Sequence, residues 1–186
     1  MYFLMLADGF EETEMIAPLD ILRRADIPVQ TVGITGRLVT GAHHLTVTAD
    51  LLPEEVAPAE IDGIILPGGM PGTTNLKESE PLRQWILSCA EEGKLLAAIC
   101  AAPSVFGELG LLKGRCAVCF PGFEDALRGA EVLDGFVACD GNIITAKGAG
   151  AALAFGAALA DYIEGAGTGA AVLAQMQTPS ALCDGR

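Results

Sequence analysis

Three short runs of this chain, Tyr2–Leu6, residues 61–66 and Leu95–Ile99, are apolar on both strand faces, with Asp62 the one charge among them. A strand with one solvated face alternates apolar and polar residues. A strand that is apolar throughout has to be covered by helices on both sides. The stretches between the runs supply such helices. Residues 11–25 place Met15, Ile16, Leu19 and Leu22 at helical spacing, with acidic residues near the start, where the helix dipole favours them. Pro18 marks a helix start close by or a bend. Residues 29–34, 115–119 and 136–138 and Ile143–Ala146 are further strand candidates, and residues 36–50 read as a hairpin turning at residues 41–44. Helices are expected over residues 81–92, 103–109, 150–163 and 170–176. Strands alternating with helices predict an α/β fold, a doubly wound and mostly parallel sheet between two helical layers. With no repeat or linker to divide it, the chain reads as one domain over residues 1–186.

Composition narrows the function classes. The chain is 51% hydrophobic, too apolar for a disordered segment. Its net charge of −13 leaves no basic stripe for nucleic acid and disfavours an anionic membrane surface. The uncharged stretch 148–160 falls short of the roughly 18 residues that a membrane span needs. The apolar N-terminus meets Asp8 and Glu11 almost at once and has no basic region before it, so no export signal is expected and the cytoplasm is the default. Cys89, Cys100, Cys116, Cys119, Cys139 and Cys183 are then expected to be reduced. Cys116 and Cys119 have C-x-x-C spacing, but on a strand such positions face opposite sides, so a structural role is expected and no metal site.

In folds of this kind ligands bind at the carboxyl ends of the strands, and three such ends here carry unusual residues. Ala97-Ala98-Ile99-Cys100-Ala101-Ala102-Pro103 turns a buried strand into a helix through small neighbours, the pattern of a nucleophile elbow that holds one side chain out at the top of the sheet. N–H groups at the helix start favour thiolate there, whereas the bland alternative is a cysteine buried in the core. Leu66-Pro67-Gly68-Gly69 is either an ordinary turn or a loop that aims a backbone N–H into the site. Paired with the N–H of Ala101, that group would form an oxyanion hole. Glu11, Glu12 and Glu14 are either solvated charges or include one carboxyl that points inward to Cys100. Such a carboxyl would have its pKa raised by burial and by a neighbouring thiolate.

The segment Glu11-Glu12-Thr13-Glu14-Met15-Ile16-Ala17-Pro18-Leu19-Asp20-Ile21-Leu22-Arg23-Arg24-Ala25, with Leu66-Pro67-Gly68-Gly69 and Ala98-Ile99-Cys100-Ala101-Ala102-Pro103, resembles the DJ-one/ThiJ/PfpI superfamily, nearest its DJ-one branch. The likeness continues through Phe120-Pro121-Gly122-Phe123-Glu124 and Thr145-Ala146-Lys147-Gly148-Ala149-Gly150, almost the full chain. It implies a flavodoxin-like sandwich, usually a homodimer. By matching position it makes Cys100 the nucleophile, Glu14 the carboxyl bonded to it, and Gly69 and Ala101 the N–H donors, with Gly68, Phe120 and Pro121 around the pocket. Some branches carry a histidine where Phe120 stands. The two histidines of this chain, His43 and His44, fall in the hairpin turn, where His43 either is solvated or approaches the pocket of a partner subunit. A Cys–His–acid hydrolase, as in a PfpI-like peptidase or amidase, therefore lacks its base. The resemblance implies an enzyme without cofactor or metal that acts on reactive carbonyls, converting methylglyoxal to lactate or repairing early glycation adducts. The alternative from another class is an oxidative-stress sensor or chaperone that works through oxidation of Cys100.

Overall fold

The computed structural model describes residues 1–179, so Cys183 lies outside the described residues. In chain order the elements are β1 (Tyr2–Leu6), α1 (Glu12–Arg24), β2 (Val29–Gly33), β3 (Leu38–Thr40), β4 (Thr46–Thr48), β5 (Gly63–Leu66), α2 (Gly72–Glu78) and α3 (Glu80–Glu91). They continue with β6 (Leu95–Ile99), α4 (Pro103–Glu108), β7 (Cys116–Ala117), β8 (Glu131–Val132), β9 (Val137–Asp140), β10 (Ile143–Ala146), α5 (Ala152–Glu164) and α6 (Thr168–Gln175). Six strands form the central sheet in the order β2-β1-β5-β6-β10-β9, with β3–β4 and β7–β8 as separate pairs. Every pairing in the central sheet is parallel except β10 with β9, at one edge.

Strand alternation sorts the core into two layers. Phe3, Met5, Ile64, Leu66, Leu96 and Ala98 pack with Leu82, Trp85, Ile86 and Phe106 from α3 and α4. Their neighbours Leu4, Leu6, Ile65, Ala97 and Ile99 pack with Met15 and Leu22 of α1 and with Phe155 and Leu159 of α5. The result is a flavodoxin-like three-layer sandwich. Among the described residues, no helix is long and apolar enough to cross a membrane.

Several boundaries move for physical reasons. Helix α1 starts at Glu12, where the carboxylate of the Glu11 cap accepts the Glu14 N–H at 2.7 Å, and it runs on past Pro18. Proline has no N–H, so the Glu14 carbonyl loses its partner one turn on. The strand expected over residues 115–119 shrinks to β7, and side chains accept from N–H groups within it and just past its end. Asp140 Oδ2 accepts from Cys116 at 2.8 Å, and Thr145 Oγ1 accepts from Val118 at 2.9 Å. Cys116 points to Glu131, Cys119 is buried in the core, and both are free thiols. The chain moves outward from β1 to β2, then returns to β5 on the other side of β1. Such a reversal opens a crevice at the carboxyl ends of the strands.

Candidate active site

The parallel strands β1, β5, β6 and β10 end on the same side of the sheet, and the segments that follow them meet there. After β6, Cys100 adopts φ of 66°, a left-handed conformation that costs a residue with a Cβ about 1 kcal/mol or more. Both of its flanking loops hold it: its N–H donates to the Ala146 carbonyl, and its carbonyl accepts the Phe120 N–H, each at 2.9 Å. The small Ala101 and Ala102 are buried behind it. The elbow read from the sequence is present.

After β5, Gly68 comes so close to this turn that a Cβ would lie 2.6 Å from the Cβ of Cys100 and 2.7 Å from Oε2 of Glu14. Only glycine fits. Of the three glutamates opening α1, Glu11 caps the helix and Glu12 turns toward the β3–β4 hairpin. Glu14 is 1% exposed and faces inward, with Oε2 accepting the Gly68 N–H at 2.9 Å. It also bonds the Cys100 thiol and the N–H of Ala149, which follows β10.

Burial pushes the Glu14 carboxyl up to about 7, against the hydrogen bonds from Cys100, Gly68 and Ala149 that favour its charge. The Cys100 thiol is pushed up to about 12, first by burial and then by the Glu14 charge beside it. The N–H groups of Gly69 and Ala101 donate to the sulfur and favour thiolate, but burial and the Glu14 charge outweigh them. The helix start favours thiolate without by itself holding Cys100 in that form. Two acids in contact titrate as a pair. Once the first proton has left, the negative charge rests mainly on the carboxylate, and thiolate forms when the Cys100 proton passes to Glu14. The thiolate form is the one in which Glu14 keeps the remaining proton.

Phe120 and Pro121, with Phe136, Lys147 and the backbone of residues 148–151, line an open hollow of about 350 Å³. Gly148 lies between this hollow and the pair: a Cβ there would lie 3.2 Å from the Phe120 ring and 4.0 Å from Oε1 of Glu14. His43 is largely exposed, and its partner within the chain is Glu12 rather than Cys100. Its Nδ1 lies 2.9 Å from Glu12 Oε2, and its N–H donates to Glu12 Oε1 at 2.7 Å. Glu11, Glu12 and His43 bring possible metal-ligating atoms within 4.8 Å of one another. Their oxygens already accept the N–H groups of Glu14, His43 and Leu45, which makes the trio a clamp between helix and hairpin. Sequence reasoning missed the Ala149 N–H, Phe136 and Lys147. The signal available was the Gly148-Ala149-Gly150 run at the end of a fourth buried strand.

The fold and this site define a flavodoxin-like protein with a cysteine–carboxyl pair in its strand-end crevice. The model of the DJ-1/PfpI family matches residues 2–162, and the chain belongs to that family. It is similar to protein DJ-1 homolog B of Arabidopsis thaliana, 34% identical over 163 residues, but the match spans only 37% of that relative's length against 86% of this chain. A protein named as a deglycase from Pyrococcus abyssi is 32% identical over 146 residues, 77% of this chain and 87% of that protein. The crystal structure of Drosophila melanogaster DJ-1beta superposes with a TM-score of 0.90 at 31% identity, covering 96% of this chain and 97% of that one.

Proposed function

We propose that the protein is a cofactor-independent cysteine enzyme acting on reactive carbonyls. The observation that carries this reading is a carboxyl poised near neutrality, buried in contact with a thiol whose sulfur faces two backbone N–H groups. Cys100 Sγ, as thiolate, adds to the aldehyde carbon of methylglyoxal, and the N–H groups of Gly69 and Ala101 accommodate the alkoxide of the hemithioacetal. Glu14 gives its proton to that alkoxide. As carboxylate it then takes the proton from the hemithioacetal carbon and returns it to the neighbouring one, while the hydroxyl proton moves between the two oxygens, leaving a thioester of lactate on the sulfur. Water hydrolyses the thioester, releasing lactate and restoring the thiol. The net reaction consumes one water and needs no redox partner. The same groups suit removal of early glycation adducts, and the deglycase name of the archaeal relative supports that branch. Exposed Ile16, Leu38 and Leu45 on α1 and the hairpin support a homodimer across that face, which sedimentation at micromolar concentration tests.

The decisive assay is lactate formation from methylglyoxal without glutathione or added metal. Native protein is expected to turn over, with Cys100→Ser and Glu14→Gln each losing at least about a hundredfold in kcat/KM. A native protein that is inert, while dilute peroxide oxidises Cys100 selectively, replaces the enzyme with a thiol-based sensor.

A further inference from the structure

The hollow beside the cysteine–carboxyl pair is larger and more aromatic than a methyl-bearing carbonyl requires. Phe120 is 47% exposed and Phe136 56% exposed, and both rings border the same space. A cavity of about 150 Å³ is enough to hold benzene, and this hollow measures about 350 Å³. The charged member of its lining, Lys147, is already engaged, with Nζ 3.0 Å from Asp134 Oδ1 and 5.9 Å from the Phe136 ring centre. The hollow therefore offers aromatic surface rather than an unpaired cation. Gly148 stands between the hollow and Glu14, and a Cβ there would lie 3.2 Å from the Phe120 ring and 4.0 Å from Oε1 of Glu14. Gly148 has φ of 164°, extended backbone that other residues adopt, so its role here is space rather than conformation.

We propose that the hollow formed by Phe120, Pro121 and Phe136 is a side-group subsite that selects carbonyl compounds bearing an aryl group over those bearing a methyl group. The proposal rests on Cys100 being the group that meets the carbonyl. A methyl group at that position leaves both phenylalanine rings in water. An aryl ring buries them and stacks offset or edge-on against them. Gly148 adds no side chain between the subsite and the pair.

The subsite can be read without turnover, by alkylating the protein with phenacyl bromide and, separately, with bromoacetone. In each reaction Cys100 Sγ forms the C–S bond and bromide leaves. Peptide-resolved mass spectrometry gives the aryl-to-methyl rate ratio at Cys100, and the exposed Cys139 reports the intrinsic ratio of the two reagents. The ratio at Cys100 is expected to exceed that at Cys139 by about tenfold. Phe120→Ala, Phe136→Ala and Gly148→Ala should each bring it down severalfold, and Phe120→Leu, which keeps bulk but loses the ring, should lower it less than Phe120→Ala. Equal ratios at the two cysteines, or a Cys100 ratio that none of these variants moves, overturn the subsite. Initial rates with phenylglyoxal and methylglyoxal separate this inference from the enzyme reading. Turnover of both without preference removes the subsite and leaves the enzyme. An aryl preference in alkylation with neither compound turned over keeps the subsite and removes the enzyme.

Discussion

The two sides of the first turn of α1 carry the same chemical group in opposite electrostatic states. Glu12 faces the β3–β4 hairpin, where the N–H groups of His43 and Leu45 and the His43 ring hold its carboxyl below the usual range. Glu14, two residues on, faces the strand ends, where burial holds its carboxyl up at about 7. Both accept backbone N–H groups, so hydrogen bonding alone does not separate them. What separates them is depth and partner: Glu12, 12% exposed, meets the His43 ring at the surface, and Glu14, 1% exposed, meets a thiol. One carboxylate becomes a permanently charged clamp and the other a proton carrier.

The largest expected effect comes from removing the carrier. An acid whose folded-state pKa is raised stabilises the protein fully below its unfolded value near 4.5, and that contribution is lost as pH rises through the folded value near 7. Glu14→Gln should abolish this loss. The variant is expected to gain about 3 kcal/mol over native at pH 8 relative to their difference at pH 4, read by urea unfolding at the two pH values. Parallel stability curves for the two proteins would mean that folding does not raise the Glu14 carboxyl. Gly68→Ala tests the close approach that keeps Glu14 and Cys100 in contact. Its Cβ would stand 2.6 Å from the Cβ of Cys100, and overpacking of that kind costs about 2 kcal/mol, measured as a shift in the denaturant midpoint. The smallest effect belongs to the clamp. Glu12→Ala should speed amide exchange at His43 and Leu45 about tenfold by removing their acceptor, while exchange at Gly68 stays as it is in the native protein.

The layers were legible because buried strands write themselves as apolar runs. β1, β6 and β10 fall on the residues read from the sequence, and the elbow at Cys100 follows from small residues around a strand end. Strand edges were less legible where side chains accept from backbone N–H groups, as Asp140 and Thr145 do around β7. Helix α2 went unseen because Gly72-Thr73-Thr74-Asn75-Leu76-Lys77-Glu78 has a single apolar residue, Leu76, and so no periodicity. The division of labour among Glu11, Glu12 and Glu14 was out of reach of spacing. It depends on which side of α1 meets the hairpin and which meets Gly68, contacts made across 31 and 54 residues of chain. Family resemblance pointed to Glu14, and the structure supplies the reason: it is the glutamate placed out of water against Cys100.

The most direct measurement is a carbon-13 NMR titration of the glutamate side-chain carboxyls, with Glu14→Gln to assign the Glu14 resonance. The account predicts that one carboxyl, absent from the variant, titrates near pH 7, while Glu12 titrates below 4.5. A Glu14 resonance that titrates alongside the surface carboxylates would contradict it, because a carboxylate that weakly basic cannot hold the proton that leaves Cys100 as thiolate.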